Sequence, residues 1–221
     1  MKKITAVIPI RSGSQRVKDK NLRPFANTTL MENKIEMLLN VPELDSIIVN
    51  TNSEEAIEIV NKCYRGVGCH RREEHYASSQ CSGSEFFQHL GEVYAPCTSP
   101  FIKPETISQC IKTFLNREGE TDCVSTVSSI KEFMWLDGKP VNYDPLNAPN
   151  SQNLPDIVAL NFGATITSKE DLVRNRNIIG KHPKFVLTSD IEAIDIDTPL
   201  DFYIAEQIYR KTVLEGKGLL E

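Results

Sequence analysis

Two stretches concentrate side chains that could do chemistry. Residues 10–21 read IRSGSQRVKDKN and follow a short apolar run, ITAVIP. Arg11, Arg16, Lys18 and Lys20 put four cations into one loop, Ser12 and Ser14 add hydroxyls, and Gly13 lets the backbone bend and approach a ligand closely. Hydroxyls and successive N–H groups in such a loop form an anion-binding concavity. Arginine would grip a polyphosphate as a bidentate fork and lysine as a point charge. The loop is neither the Walker phosphate loop, which needs G-x-x-x-x-G-K-[ST], nor the dinucleotide fingerprint, since it holds one glycine. Spacing alone leaves a phosphate cradle and a solvated basic turn both open.

The second stretch is AIDIDTPLD, residues 193–201. Strand side chains alternate faces, so a strand here points Ile194 and Ile196 to the core and Asp195 and Asp197 together to the other side. Thr198 is placed to cap a helix with Pro199 at its first position, which ends the strand at Asp197, and Asp201 belongs to that cap. Two adjacent carboxylates repel, and at least one pKa rises unless a cation sits between them. The bland alternative is an edge strand with a wet acidic face.

These stretches need elements to position them. Strand signals fall at 4–10, 45–51, 92–97, 122–129, 159–167 and 193–197. Helical spacing falls at 29–40, 53–63 with Ser53 as cap, 83–90, 104–116 with Pro104 near its start, and 198–215. Strands alternating with helices predict an α/β class, a three-layer α/β/α sandwich with a mostly parallel sheet. Ligands of such sheets bind beyond the strand carboxyl ends, where the loop after the first strand would lie. Residues 130–158, rich in Pro, Asn and Asp and holding the one tryptophan, break the rhythm and read as a lid or a dimerisation arm.

Composition sets the bounds. The 221 residues carry a net charge of −5, 40% hydrophobic and 25% charged residues, which suits one globular domain with a sizeable core. A nucleic-acid binder shows a basic face, so a local basic loop in a mildly acidic chain points to a small anion and not to nucleic acid. The start MKKITAVIPIRSG has too short an apolar stretch for a signal peptide, and no run reaches membrane-spanning length. The six cysteines at 63, 69, 81, 97, 110 and 123 are expected as reduced thiols of a cytoplasmic protein. Cys63, Cys69, His70, His75 and Cys81 have zinc-type ligands but not the spacing of a structural zinc site, and are expected as scattered side chains.

The segment IPIRSGSQRVKDKN resembles the N-terminal signature of the CMP-sugar-acid synthetases, which include the acylneuraminate cytidylyltransferases and their relatives for Kdo, legionaminic and pseudaminic acids. The pattern R-x-G-S-x-R-hydrophobic-x-x-K-N is matched by Arg11, Gly13, Ser14, Arg16, Val17, Lys20 and Asn21. Further matches follow in order: IIVNTNSEEAIEIV, then HRREEHYASSQCSGSE with Arg71, Glu74, Ser82 and Ser84, then TSPF, QNLPDIVALNFGA and IDIDTPLDFYIAE. The resemblance covers essentially the whole chain. Departures are Asn52 where the family often has aspartate, Pro96 where a glutamine is common, Ser151 where sialate enzymes often have a basic residue, and Asn161-Phe162, which sets the strand asparagine one place early. These lie mostly on the sugar side of the family's site. The connection around 90–92 is shorter than usual.

The resemblance implies a Rossmann-like nucleotide-binding sheet and transfer of CMP from CTP to the anomeric hydroxyl of a keto sugar acid, with release of pyrophosphate. It implies CTP contacts from Arg11, Ser12, Gly13, Ser14, Arg16, Lys20, Asn21, Arg71 and Ser82, a Mg²⁺ ion on Asp195 and Asp197, and Arg11, Lys20 and Asp197 as the catalytic set. It also implies a homodimer. The rivals are a nucleotidyltransferase for another sugar or another NTP, and a non-catalytic nucleotide-sugar binding module.

Overall fold

The computed structural model describes residues 3–14, 16–78, 80–82, 84–86 and 93–219. The chain begins with β1 (Thr5–Ile10), a two-residue pair β2 (Pro24–Phe25) and β3 (Thr28–Thr29), α1 (Leu30–Leu39), β4 (Ser46–Thr51), α2 (Glu54–Cys63), β5 (Val67–Arg71), α3 (Glu74–Ala77) and β6 (Val93–Tyr94). It continues with α4 (Pro104–Leu115), β7 (Cys123–Ile130), the short strands β8 (Trp135–Leu136) and β9 (Lys139–Pro140), β10 (Ile157–Thr167), α5 (Lys169–Asn175), β11 (Pro183–Leu187) and α6 (Pro199–Tyr209). Among the described residues the main sheet has the order β11-β7-β10-β6-β1-β4-β5. Only β10 runs antiparallel to its neighbours there, so the sheet is mostly parallel as expected.

The layers follow from strand alternation. Ala6, Ile8 and Ile10 enter the main core with Ile35 and Leu38 of α1, Ala56 and Val60 of α2, Ile107 and Ile111 of α4, and Phe202 of α6. Val7 points the other way and packs with Leu172 of α5 and Ile178 in a smaller cluster. Helices therefore cover both faces, which completes the sandwich. The expected caps form: Ser53 accepts from the Ala56 N–H, and Thr198 and Asp201 make a reciprocal capping box behind Pro199.

Several expectations are corrected. Residues 193–197 are not a strand: the segment runs beside the 97–98 turn, and its Ile196 N–H donates to the Thr98 carbonyl at 2.9 Å without a ladder. Ile196 is still buried and Asp195 still open, so the inward-outward alternation survives the loss of pairing. The sheet edge is instead β11, paired in parallel with β7. The last α-helix ends at Tyr209 and gives way to a π-helical turn over Arg210–Leu214. The strand expected at 92–97 shrinks to Val93–Tyr94. Of the helix expected at 83–90, residues 84–86 are helical; the rest, with the 90–92 connection, lies outside the described residues.

The 130–158 segment is not a featureless loop. Asp137 and Gly138, at φ 49° and 73°, turn β8 into β9, as a two-residue hairpin turn with both φ positive requires. Two 3₁₀ turns follow at Pro145–Asn147 and Ser151–Asn153.

Candidate active site

The loop after β1 leaves the sheet at its carboxyl end, and Gly13 takes φ +73° there. A Cβ on Gly13 would meet nothing within 4 Å, so the glycine serves the backbone angle and not a steric gap. Asn52, just past the parallel neighbour β4, ties the loop down: the Ser12 N–H donates to its Oδ1 at 2.9 Å and its Nδ2 donates to Ser12 Oγ at 2.8 Å. The same amide faces the Glu74 carboxylate at 3.2 Å. That explains the departure at Asn52, because an aspartate there would set two carboxylates against each other.

A concavity opens beside this loop. Its walls include Arg11, Ser14, Arg16, Lys20 and Asn21 from the loop, Arg72 and Phe86, and Tyr94, Pro96 and Thr98 from β6 and the turn beyond it. Ser12 and Gly13 shape the loop without lining the concavity.

Lys20 reaches across the chain. Its Nζ donates to the Ile196 carbonyl at 2.5 Å and lies 3.7 Å from the Asp197 carboxylate, while Arg16 meets that carboxylate at 3.0 Å. Burial lowers the Lys20 pKa, and Asp197 and Asp195 act against that shift. Desolvation by burial raises the Asp195 carboxyl although its outer face meets solvent, and the Asp197 charge adds to the rise, together outweighing a hydrogen bond from Thr98 and the charge of Lys20. Asp197 is thus paired directly with two cations, while Asp195 has only the charge of Lys20 to offset its desolvation. Two hard oxygen donors, one of them short of positive charge, fit Mg²⁺. Asn21 is buried and its Oδ1 has no partner among the described residues, so a buried acceptor waits beside the concavity.

The turn that holds this arrangement is pinned from below. Lys34 of α1 is fully buried and its Nζ donates to the Ser99 carbonyl at 2.8 Å; Asn33 Nδ2 donates to the Pro100 carbonyl at 2.8 Å. Burial drives the Lys34 pKa down to about 7. The neighbouring Cys97 thiol is pushed up to about 12 by burial. Neither Lys34 nor Asn33 stood out in the sequence, since α1 reads there as an ordinary amphipathic helix. Glu192, also buried, accepts from Thr106 Oγ1 at 2.5 Å and Ser189 Oγ at 2.9 Å, anchoring the approach to Asp195 onto α4.

Besides Ser12 and Gly13, two residues named from the sequence, Arg71 and Ser82, do not line the concavity. Arg71 forks onto Glu54 at the surface and does not line the concavity. Its neighbour Arg72 does: it is buried, its guanidinium donates to the Asn50 side chain and carbonyl, and it lies 4.5 Å over the Phe86 ring. Burial lowers the Arg72 pKa to about 10, which leaves it charged at neutral pH. Ser82 is held in a reciprocal cap with Glu85, outside the concavity's walls. The Asn161-Phe162 shift is a β-bulge: the β7–β10 register slips between Leu160 and Thr165, Phe162 takes φ 52°, and Asn161 turns inward to bond Thr126 and Thr188.

Comparison with known proteins places the sequence and the fold. The cytidylyltransferase family model matches residues 5–148. The chain is 25% identical to Post-translational flagellin modification protein B of Campylobacter coli, over 98% of this chain and 99% of that protein. It is 26% identical to CMP-N,N'-diacetyllegionaminic acid synthase of Legionella pneumophila, over 93% of this chain and 96% of that protein. In fold it is similar to CMP:2-keto-3-deoxy-manno-octonic acid synthetase complexed with CTP, with a TM-score of 0.67 at 13% identity, covering 94% of this chain and 98% of that one. A family match over nearly two thirds of the 221 residues, joined to this fold, decides the matter: the chain belongs to the cytidylyltransferase family.

Proposed function

We propose that the protein transfers CMP from CTP to the anomeric hydroxyl of a nonulosonic or related keto sugar acid. The anomeric oxygen forms a bond to the α-phosphorus, the bond from that phosphorus to the α,β-bridging oxygen breaks, pyrophosphate leaves, and the hydroxyl proton passes to solvent. Catalysis of this class rests on positioning and charge stabilisation. The observation that carries the reading is the convergence of Arg11, Arg16, Lys20 and Arg72 on one concavity bordered by Asp195 and Asp197. Arg11, Ser14, Arg16 and Lys20 hold the triphosphate and the departing pyrophosphate. The unpartnered Asn21 Oδ1 takes a donor of the nucleoside, and Arg72 takes the nucleotide contact that sequence likeness gives to Arg71. Asp195 and Asp197 would hold Mg²⁺, which when bound would supply Lewis-acid charge to the phosphates.

We read residues 1–221 as a single cytidylyltransferase domain that pairs as a homodimer through 130–158. Support for the pairing comes from that arm's exposed apolar face, with Trp135 54% and Leu146 97% exposed. No helix among the described residues is long and apolar enough to cross a membrane, and all six cysteines are free thiols, which suits the cytoplasm. The test is pyrophosphate release with each of the four NTPs against a panel of keto sugar acids. Turnover confined to CTP supports the reading; binding without turnover makes the protein a nucleotide-sugar binding module, and turnover with another NTP makes it a different nucleotidyltransferase.

A further inference from the structure

Beside the nucleotide concavity, folding brings together three ligand types that lie apart in sequence. The His75 ring nitrogen, the Cys81 sulfur and a Glu85 carboxylate oxygen all lie within 4.8 Å of one another. Local bonds present them. The Ser78 hydroxyl donates to the His75 carbonyl at 2.8 Å and accepts from the Cys81 N–H at 3.3 Å, tying the two backbones to one side chain. The Glu85 oxygens divide their work: Oε2 accepts from the Ser82 N–H at 2.9 Å and its hydroxyl at 2.8 Å, while Oε1 faces His75 Nε2 at 3.7 Å. A ligand carboxylate with its second oxygen held by a neighbouring donor is the usual way such a group is aimed at a metal. Ligands about 2.0–2.3 Å from a tetrahedral zinc ion lie roughly 3.3–3.8 Å apart, so binding asks for side-chain rotations on the order of 1 Å. The donor set of nitrogen, sulfur and oxygen is zinc-like and differs from the all-oxygen Asp195–Asp197 pair, which suits Mg²⁺.

We propose that His75, Cys81 and Glu85 form a binding site for a zinc-type divalent cation, with a water as fourth ligand, which pins the segment carrying Phe86 against the nucleotide concavity. The connection is direct. Phe86 follows Glu85, its ring lies under the Arg72 guanidinium at 4.5 Å, and both residues line the concavity. Binding turns the Cys81 thiol into a thiolate and releases its proton to the buffer. The cation site stands on geometry alone; its effect on nucleotide affinity rests on the function proposed above.

The test uses the full chain, stripped with a chelator, and Co²⁺ as probe in the absence of nucleotide. A thiolate-to-cobalt charge-transfer band should saturate at a single equivalent and be displaced by Zn²⁺. Cys81→Ser should lose the band, His75→Ala and Glu85→Gln should weaken binding by about tenfold or more, and Cys63→Ser, Cys97→Ser and the Asp195→Asn/Asp197→Asn variant should keep it. No band, or one that survives Cys81→Ser, overturns the site whatever the protein's activity. With the band established, direct titration of CTP should show tighter binding to the Zn²⁺-loaded protein than to the stripped one, and no such difference in Cys81→Ser; equal affinities overturn the link to the concavity.

Discussion

The concavity proposed to bind the nucleotide and the 130–158 arm are built in opposite ways. The concavity is closed by bonds between residues far apart in the chain, such as Lys20 to Ile196 and Lys34 to Ser99. It is polar, and its charges are arranged within one chain. The arm is closed by local bonds: Trp135 Nε1 donates to Tyr143 Oη at 2.7 Å, the Phe133 and Tyr143 rings meet edge to face, and Asn142 accepts from the Met134 N–H at 2.9 Å. Most of its large apolar side chains point out, with Phe133, Trp135, Leu136, Val141 and Leu146 all exposed and Leu154 buried. One chain is enough to assemble the basic concavity proposed as a phosphate cradle, whereas it leaves the arm's exposed apolar side chains in water. The two regions should therefore respond to different perturbations.

The largest effects belong to the cradle. Lys20→Ala and Asp197→Asn are each expected to lower kcat/KM for CTP by about 100-fold, the cost of removing a preorganised charge at a reacting phosphate. Asp195→Asn should lose turnover as well but melt at a higher temperature than wild type without Mg²⁺. The sign follows from its raised carboxyl: at neutral pH the fold bears the cost of an ionised, partly desolvated Asp195, and the amide removes it. Wild-type turnover in Lys20→Ala and Asp197→Asn would break the assignment, and an unaltered melting temperature in Asp195→Asn would contradict the net desolvation cost of its charge.

The arm should respond through assembly. Replacing Trp135 or Leu146 with serine is expected to weaken self-association by about 30-fold, as loss of a buried interface anchor does, while circular dichroism stays that of a folded chain. Light scattering and sedimentation read this directly. A wild-type monomer at micromolar concentration with full activity would leave the arm's apolar face without its proposed partner.

A finer test separates neighbours within the cradle. Arg72→Ala should raise the KM for CTP by about tenfold, since a charge-assisted contact is worth about 1.5–3 kcal/mol. Arg71→Ala, which removes only a surface pair with Glu54, should leave KM close to wild type. The opposite ranking would return the nucleotide contact to Arg71.

This pair also marks where the sequence stops being legible. The polar, basic loop after β1, the helix caps and the inward-outward alternation of Asp195 and Asp197 follow from residue type and local spacing, and they are present in the structure. Strand β5 was not, because VGCHR has a glycine, a histidine and an arginine in place of an apolar run. Once β5 is a strand, alternation puts Arg71 on the side of Val67 and Cys69, which face the main core layer, and Arg72 with His70, which meets Asn50 at 2.9 Å. That the two adjacent arginines face different surroundings was thus within reach of period-two reasoning and hidden by a missed element. The support beneath the 98–100 turn was not within reach. Lys34 sits 65 residues from Ser99, and no local pattern sets a buried helix lysine apart from one that snorkels to solvent.

Lys34 supplies the smallest and most specific prediction. Its ordinary pKa of 10.5 falls to about 7 in the fold because burial disfavours the ammonium, with Cys97 and Asp195 acting weakly the other way. Below about pH 7 both folded and unfolded chains hold the proton, and the full cost of the buried charge is present. Between about 7 and 10.5 the folded chain has lost the proton and the unfolded chain keeps it. The unfolded state then binds more protons, so stability rises with pH across that window. Lys34→Met cannot titrate there. The stability of wild type minus that of the variant should be flat below about pH 7 and climb above it by at most about 1.4 kcal/mol per pH unit. Other titrating groups, including the Cys97 thiol, are common to both proteins and largely cancel in the difference. Urea denaturation at a series of pH values measures it. A flat difference throughout would mean that the Ser99 carbonyl and the Asp195 charge hold Lys34 protonated, so that the turn beneath the concavity rests on a permanent buried cation. A rising one would show a neutral amine supporting the turn at mildly alkaline pH, with the Asp195 charge then left to Lys20 and a bound metal ion.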